Sequence, residues 1–128
     1  MKVIILGGTG LLGQALTASL RAKGVEALAV GSSSGDVVCD CRELTQVTET
    51  VELHRPTILV NLVALTNVDE CEVLPLAAYS LNALVSRNCA KICKLYPELH
   101  YIYFSTDQVY SGGGNAIETD VCPINNYG

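Results

Sequence analysis

Residues 2–13 read KVIILGGTGLLG. The unbroken apolar run at residues 3–6 is typical of a strand that is buried on both faces. Glycines follow this run at once, and an amphipathic pattern typical of a helix begins after them. A glycine turn lets the backbone approach a pyrophosphate, and the start of a helix directs free N–H groups toward it. The stretch therefore predicts a phosphate-binding loop.

The four glycines of this loop fit two binding patterns. Gly8, Gly10 and Gly13 match G-x-G-x-x-G, whereas Gly7, Gly10 and Gly13 match G-x-x-G-x-x-G. An ordinary strand-to-helix turn is the alternative to both patterns. The candidate phosphate-binding residues are Gly7, Gly10, Leu11, Leu12 and Gly13.

Composition restricts the class of protein. The chain has 128 residues, of which 49% are hydrophobic, so we expect one domain with a substantial core and exclude general disorder. The net charge of −5 argues against binding to nucleic acid, which requires a basic face. No apolar run is long enough for a membrane span, and the run at residues 1–6 ends too early for a signal peptide. We therefore expect a cytoplasmic protein without nucleic-acid or membrane partners.

The six cysteines lack the C-x-x-C pairs of structural zinc sites, so no metal site is predicted. We expect free, buried thiols that act as small hydrophobic residues. Cys39 and Cys41 flank Asp40 and would point to opposite faces of an extended segment. Cys89 and Cys93 would share one face of a helix. The other two cysteines are Cys71 and Cys122.

The remaining strands are predicted from apolar runs rich in β-branched and aromatic residues, at residues 25–30, 57–62 and 101–105, with a short extended segment at 37–39. A glycine loop follows at residues 112–114. Strands that alternate with helices predict an α/β fold, in which helices cover both faces of a parallel sheet. Ligands bind such sheets at the carboxyl ends of the strands, which here are residues 7–13, 31–34, 61–66 and 105–110.

Three helices are predicted between these strands. The first ends near Gly24, and its apolar and small stripe consists of Leu12, Ala15, Leu16, Ser19 and Leu20. The second stops before Pro56 and carries Leu44, Val47, Val51 and His54 on one face. The third covers residues 75–96, with an apolar face made of Leu81, Leu84, Asn88, Ile92 and Leu95.

The end of the second strand indicates which form of a dinucleotide would bind. An acidic residue there would bind the adenosine ribose hydroxyls and favour NAD, whereas an arginine would favour NADP. This chain has neither, only Gly31, Ser32 and Ser33, which favours use of both forms or a preference for NADP. Asp40 follows further on, where it would either meet the adenine amino group or cap the next helix.

Several downstream segments carry a family resemblance. Residues 61–72, NLVALTNVDECE, resemble the N-A-A-A-x-T-x-V-D-x-x-E stretch of extended short-chain dehydrogenases/reductases, whose dinucleotide domain is of the Rossmann type. Residues 104–110, FSTDQVY, resemble the S-T-D-Y-V-F segment of that family, and residues 118–120 resemble its acidic pair. Residues 123–128, PINNYG, resemble the P-x-N-x-Y-G that begins the catalytic helix. Within the family, the chain is most similar to the dTDP-4-dehydrorhamnose reductases.

The resemblance implies an NAD(P)H-dependent reductase of a nucleotide-linked 4-keto-deoxysugar, in dTDP-rhamnose biosynthesis. Thr106 would hydrogen-bond the substrate carbonyl, and Tyr127 would donate a proton to it while also contacting the cofactor. Gln108 departs from the aromatic residue that the family has in the wall of the substrate pocket. The other implied cofactor-binding residues are Ser32, Asp40, Cys41, Leu62, Val63 and Ala64. The implied substrate-binding residues are Thr66, Val68, Asp69 and Asp107.

The family pattern continues past this chain. In the family a lysine lies four residues after the tyrosine and tunes it, and the chain ends at Gly128, before that position. We therefore expect an incomplete Rossmann-type domain over residues 1–128, interrupted within the catalytic helix, without a substrate domain and with negligible turnover alone. The strand at residues 101–105 would then be an exposed apolar edge, which favours self-association.

Two other functions fit the same motifs. A nucleotide-sugar epimerase or dehydratase uses the same scaffold within this family. The chain is also similar, in its G-x-x-G-L-L-G loop, to the regulatory β subunit of methionine adenosyltransferase, which implies a dinucleotide-binding subunit without catalysis. The residues that follow Gly128 in the parent gene would separate an enzyme from a binding module.

Overall fold

A computed structural model describes residues 1–112 and 114–128, so Gly113 of the predicted glycine loop lies outside the described residues. The strands are β1 (Lys2–Leu6), β2 (Glu26–Gly31), β3 (Val37–Val38), β4 (Ile58–Asn61) and β5 (His100–Tyr103). They form one parallel sheet in the order β3-β2-β1-β4-β5. The α/β prediction is therefore confirmed.

Helices connect the strands and cover both faces of the sheet. The third predicted helix is confirmed as one continuous helical stretch, but its middle part, Tyr79–Leu84, is a π-helix that the sequence did not indicate. A short helix before it and a 3₁₀ turn at Asp107–Val109 were also not predicted. The α-helices are α1 (Leu11–Ala22), α2 (Leu44–His54), α3 (Val68–Val73), α4 (Pro75–Ala78) and α5 (Val85–Leu95).

The core lies on both sides of the central strand β1. Ile4 and Leu6 are fully buried on the face that packs against α2 and α5, and Ile5 is fully buried on the face toward α1. Burying an aliphatic side chain of this size contributes about 1.5–3 kcal/mol. Because β1 is anchored on both faces, the glycine loop that follows it starts from a fixed position.

Two of the predicted helix faces need correction. In α1 the buried residues are Gly13 and Thr17, whereas Leu12, Ala15 and Ser19 are exposed. The close approach of α1 to the glycine turn selects small residues there, and the Thr17 hydroxyl donates to the Gly13 carbonyl at 2.7 Å. In the third helix Asn88 and Ile92 are buried as predicted, together with Val85 and Cys89, but the prediction was wrong for Leu95, which lies at the end of α5. Leu95 is 69% exposed.

The thiols are free, as predicted, but their placement differs in part. Cys122 is exposed and Cys93 is half-buried, while Cys39, Cys41, Cys71 and Cys89 are buried. Cys39 and Cys41 do not point to opposite faces, because β3 ends at Val38 and both residues join the same core cluster. Burial raises the pKa of the Cys89 thiol to about 12, which keeps it protonated and inert at neutral pH.

The described residues also bear on membranes and metals. Over residues 1–112 and 114–128, no helix is long and apolar enough to cross a bilayer. Within the same ranges, no group of three or more His, Cys, Asp or Glu residues is arranged to hold a metal ion.

Candidate functional site

The glycine loop makes a tight turn at the carboxyl end of β1. Gly7 has a φ of 76°, a backbone conformation that favours glycine. The Gly10 N–H donates to the Gly7 carbonyl at 3.0 Å, and the Gly8 N–H donates to the Val30 carbonyl at 2.9 Å. These bonds place the start of α1 directly above the end of the strand.

The glycines of the loop serve two different purposes. A Cβ on Gly8 would lie 2.6 Å from the Cα of Ala29, and a Cβ on Gly13 would lie 2.6 Å from the Cα of Gly8, so both must be glycine for the fold. A Cβ on Gly10 would meet only the Gly7 carbonyl oxygen, at 3.3 Å. Gly7 and Gly10 face an open cleft, whereas Gly8 is buried beside β2. This arrangement favours the pattern of Gly7, Gly10 and Gly13 over the other one, with Gly7 and Gly10 facing the cleft and Gly13 required by the close packing of α1.

The start of α1 offers uncapped N–H groups beside this cleft. Gly10 is the N-cap residue and provides no side-chain cap, and the first turn has no acidic residue. The first intrahelical bond runs from the Gln14 N–H to the Gly10 carbonyl, at 2.9 Å. The N–H groups of residues 11–13 therefore have no acceptor within the helix. Since Leu11 is 96% exposed, its contribution to a ligand would come from its backbone.

The cleft has a volume of about 440 Å³ and lies where β1, β2, β3 and β4 end. Three walls surround it, and most of the predicted cofactor-binding residues lie in them. The glycine loop supplies Gly7, Thr9 and Gly10; the ends of β2 and β3 supply Gly31, Ser32, Cys39, Asp40, Cys41 and Arg42; and the segment after β4 supplies Leu62, Val63 and Ala64, with Leu81 behind it.

Four predicted cofactor residues do not line this cleft, and five lining residues were not in the predicted set. Each of the five has a neighbour that was predicted, except Leu81, whose position depends on the π-helical segment. The predicted residues outside the lining are Leu11, Leu12, Gly13 and Tyr127. The lining residues that were not in the set are Thr9, Gly31, Cys39, Arg42 and Leu81.

Asp40 and Arg42 form an ion pair in the cleft wall. The Arg42 guanidinium donates to the Asp40 carboxylate at 2.6 Å, and the Arg42 backbone N–H donates to the same group at 3.0 Å. These bonds hold the pKa of Asp40 below its usual range. The side chain does not cap α2, whose N-cap residue is Glu43, because Arg42 occupies the carboxylate. Asp40 lines the cleft, and the role predicted for it toward the adenine amino group stays a prediction.

Buried amides hold the wall that follows β4. The Asn61 carbonyl oxygen Oδ1 accepts from the Val63 N–H at 3.0 Å, and its amide Nδ2 donates to the Tyr101 hydroxyl at 3.3 Å. Asn82, in the π-helical segment, accepts from the Leu65 N–H at 2.7 Å and donates to the Leu65 carbonyl at 3.1 Å. A π-helical turn often marks a functional position, and here Asn82 holds the backbone of Leu65, the residue that follows the lining segment 62–64.

The segments that carry Thr106 and Tyr127 pack against each other. The Thr106 hydroxyl accepts from the Gln108 N–H at 3.2 Å and so caps the 3₁₀ turn. Asn125 donates from Nδ2 to the Gln108 side chain at 2.5 Å, and its Oδ1 accepts from the Tyr127 N–H at 3.1 Å. Gln108, where the sequence departs from the family, therefore joins the two segments in this chain.

The predicted substrate-binding residues surround α3 and the 3₁₀ turn. Val68 and Asp69 open α3, Thr66 is exposed in the loop before it, and Asp107 is exposed at the start of the 3₁₀ turn. Glu72 of α3 accepts from the backbone N–H of Asn126 at 2.5 Å and from its amide at 3.0 Å. This bidentate contact ties α3, which carries the predicted residues Val68 and Asp69, to the residue beside Tyr127.

A larger groove of about 710 Å³ lies at the amino ends of β4 and β5, opposite the cleft. Its lining includes Glu52, Glu98 and Arg55, and Glu52 accepts from the Tyr96 hydroxyl at 2.6 Å. The groove has neither a glycine turn nor the start of a helix among its lining residues. The smaller cleft has both and is therefore the candidate dinucleotide site.

Comparisons with known proteins identify the family of this chain. The RmlD substrate binding domain family matches residues 1–128. The chain is 35% identical to a dTDP-4-dehydrorhamnose reductase of Shigella flexneri over 131 residues, and 30% identical to a dTDP-4-keto-6-deoxy-D-glucose reductase of Streptomyces niveus over 128 residues. These alignments cover 100% and 98% of this chain but only 43% of each relative.

A solved structure shows the same fold. It is a dTDP-4-dehydrorhamnose reductase from Bacillus anthracis in complex with NADP, with a TM-score of 0.87 and 30% identity. The match covers 98% of this chain and 45% of that one, so the chain spans less than half the length of the relatives it matches. The family match over the whole chain, the parallel sheet and the glycine-lined cleft all indicate the same family. The chain belongs to the RmlD substrate-binding domain family.

Proposed function

We propose that this chain forms the dinucleotide-binding part of an NAD(P)H-dependent reductase that acts on a nucleotide-linked 4-keto-deoxysugar. The observation that carries the proposal is the cleft at the carboxyl ends of the strands. It combines a glycine turn, an uncapped helix start and a wall formed by the ends of β2 and β3. Membership of the RmlD family and the names of the relatives support the sugar-nucleotide substrate class. Because the chain spans 43% of these relatives, the activity of the whole protein is part of the proposal.

The residues present fit a dinucleotide. The N–H groups of residues 11–13 would bind the pyrophosphate, because they lack partners within α1 and lie at the positive end of its dipole. Gly10 leaves room for that approach, because it lines the cleft and has no side chain to fill the space beside the helix start. Ser32 would bind the adenosine ribose. A bound NADPH or NADH supplies the hydride for the reduction.

The ends of β2 and β3, residues 31–32 and 39–42, form the wall that would contact the adenosine half of the cofactor, here called the adenosine wall. We favour NADPH over NADH because a cation lies in this wall. Arg42 lines the cleft together with Ser32, although it follows β3 rather than β2. Its guanidinium is half-exposed, so it can turn from Asp40 toward a 2′-phosphate. The relative from Bacillus anthracis was solved with NADP, which agrees with this preference.

Thr106 and Tyr127 are the proposed catalytic residues. Thr106 would donate its hydroxyl hydrogen to the substrate carbonyl, and Tyr127 would supply a proton to the same oxygen as the carbon is reduced. A free tyrosine has a pKa of about 10 and holds its proton at neutral pH. Support for the pair comes from the contact between Asn125 and Gln108, which brings their segments together.

A titration tests the binding part of the proposal, and a turnover assay tests the rest. NADPH fluorescence should rise on addition of the chain, and NADH should bind more weakly. Full-length protein should consume NADPH when a dTDP-linked 4-keto-6-deoxysugar is added. Absence of binding of both nucleotides at millimolar concentration would overturn the dinucleotide site. Binding without turnover by full-length protein would favour the non-catalytic module instead.

A further inference from the structure

Asn88 is a buried amide in an otherwise apolar helix face. It lies on α5 between Val85, Cys89 and Ile92, and it is 3% exposed. Burying an amide without partners is costly. Asn88 meets this requirement with residues far away in sequence, since its Nδ2 donates to the Arg42 carbonyl at 2.9 Å and to the Cys41 carbonyl at 3.4 Å.

These two carbonyls belong to the adenosine wall of the cleft. Strand β3 has only two residues, and the last backbone bond beside β2 runs from the Cys39 N–H to the Gly31 carbonyl at 3.0 Å. Beyond that bond no strand neighbour holds residues 40–42 within the described chain. The side chains of Asp40 and Arg42 lie on the cleft side of this segment, and Asn88 binds its backbone from the core side.

We propose that Asn88 is a positioning residue for cofactor binding, whose amide holds the Cys41–Arg42 backbone and so keeps the adenosine end of the cleft formed. The inference rests on the proposed function, because it presumes that the cleft binds a dinucleotide. Asn88 itself does not touch the ligand. It acts by fixing the backbone of Arg42, on which the position of the guanidinium depends.

The two ends of the cleft are held by different residues. The pyrophosphate end is built by the glycine loop, whose hydrogen bonds involve Gly7, Gly10 and β2 rather than Asn88. Loss of the Asn88 amide should therefore weaken binding of the adenosine half of the cofactor and leave binding of pyrophosphate to the glycine loop unchanged. We expect the adenosine half to lose about tenfold in affinity, which corresponds to roughly one hydrogen bond's worth of binding free energy.

Two small probes report the two ends separately. Adenosine 2′,5′-bisphosphate tests the adenosine wall, and inorganic pyrophosphate tests the glycine loop, with both followed through amide resonances in NMR titrations. Asn88→Leu removes the donor and keeps the volume, and Asn88→Ala is the second variant should leucine prevent folding. Ser80→Ala is the matched control, because the Ser80 hydroxyl lies on the same helical stretch and donates only to the Ala77 carbonyl.

The expected result is a loss of about tenfold for adenosine 2′,5′-bisphosphate in the Asn88 variants, with pyrophosphate binding unchanged and the Ser80→Ala protein like wild type. Equal losses for both probes would show that Asn88 only supports the fold and would overturn the inference. Unchanged binding of both probes would overturn it as well. Wild-type protein that binds neither probe would refute the proposed function, and the inference with it.

Discussion

Substitution of Gly10 by alanine should weaken cofactor binding about 100-fold and leave the fold intact. Gly10 has φ and ψ of −74° and 175°, which any residue can adopt. The new methyl group would meet only the Gly7 carbonyl oxygen, at 3.3 Å, and a shift of a few tenths of an ångström relieves that contact. The change in the free energy of unfolding should stay within about 1 kcal/mol, because reduced freedom of the unfolded chain offsets the lost N-cap preference.

The effect on binding should be much larger, because the methyl group enters the cleft where the pyrophosphate would approach the start of α1. Loss of two charge-assisted hydrogen bonds, at about 1.5 kcal/mol each, would reduce the affinity for NADPH by about 100-fold. The assay is an NADPH fluorescence titration combined with a thermal melt.

Two control variants bracket this result. Leu11→Ala removes an exposed side chain of the same loop, so NADPH affinity should be unchanged. Gly13→Ala places a Cβ 2.6 Å from the Cα of Gly8, so the protein should be strongly destabilised. A Gly10→Ala protein that melts like wild type and binds NADPH equally well would refute the assignment of this loop to the pyrophosphate.

Three further predictions concern specificity, stability and assembly. Arg42→Ala should weaken NADPH binding about tenfold more than NADH binding in parallel titrations, and equal losses would contradict a 2′-phosphate contact. Asp36 accepts from the Ala29 N–H and pairs with Arg21, contacts that lower its carboxyl pKa, so its contribution to stability is present above about pH 4 and is lost as the pH falls through the folded-state pKa. Melts at a series of pH values should show Asp36→Asn less stable than wild type at neutral pH, with the difference shrinking in acid; a constant difference would count against this contact. Ile102→Lys should suppress concentration-dependent association in sedimentation if the edge of β5 mediates it, and a wild-type monomer at tens of micromolar would remove the basis for that expectation.

Most of the fold could be predicted from the sequence, because the local signals for strands, turns and helices agreed with each other. The apolar run of β1, the glycines after it and the helix that follows are encoded within residues 2–22. Gly24 at the end of α1 has a φ of 75°, as expected for a terminating glycine. Pro56 likewise follows the end of α2. Each of these elements is indicated by its own residues, although its stability also depends on distant contacts.

The features that could not be predicted depend on tertiary contacts. The π-helical turn exists where Asn82 reaches the backbone of Leu65, a contact 17 residues away that no periodicity reveals. Cys39 and Cys41 share one core because β3 is shorter than the apolar pattern suggested. Arg42 lies in the cleft wall, and its carbonyl accepts from Asn88 of another element, a contact that the local sequence does not indicate.

The site shows the same division between local and distant information. Eight of the predicted cofactor residues lie in the cleft lining, since they occupy the carboxyl ends of parallel strands: Gly7, Gly10, Ser32, Asp40, Cys41, Leu62, Val63 and Ala64. Their roles in binding stay predictions. The joint held by Glu72 and Asn126 connects residues 54 positions apart, and nothing in their local sequence indicates that they meet.

Hydrogen–deuterium exchange with and without NADPH tests the central claim most directly, because it locates the ligand on the chain. If NADPH binds in the cleft, amide exchange should become slower at residues 9–13, 39–42 and 62–64, which surround it. Residues 51–57 and 96–99, around the larger groove at the opposite end of the sheet, should exchange at an unchanged rate. Protection of that groove instead, with the glycine loop unaffected, would contradict the assignment of the dinucleotide site.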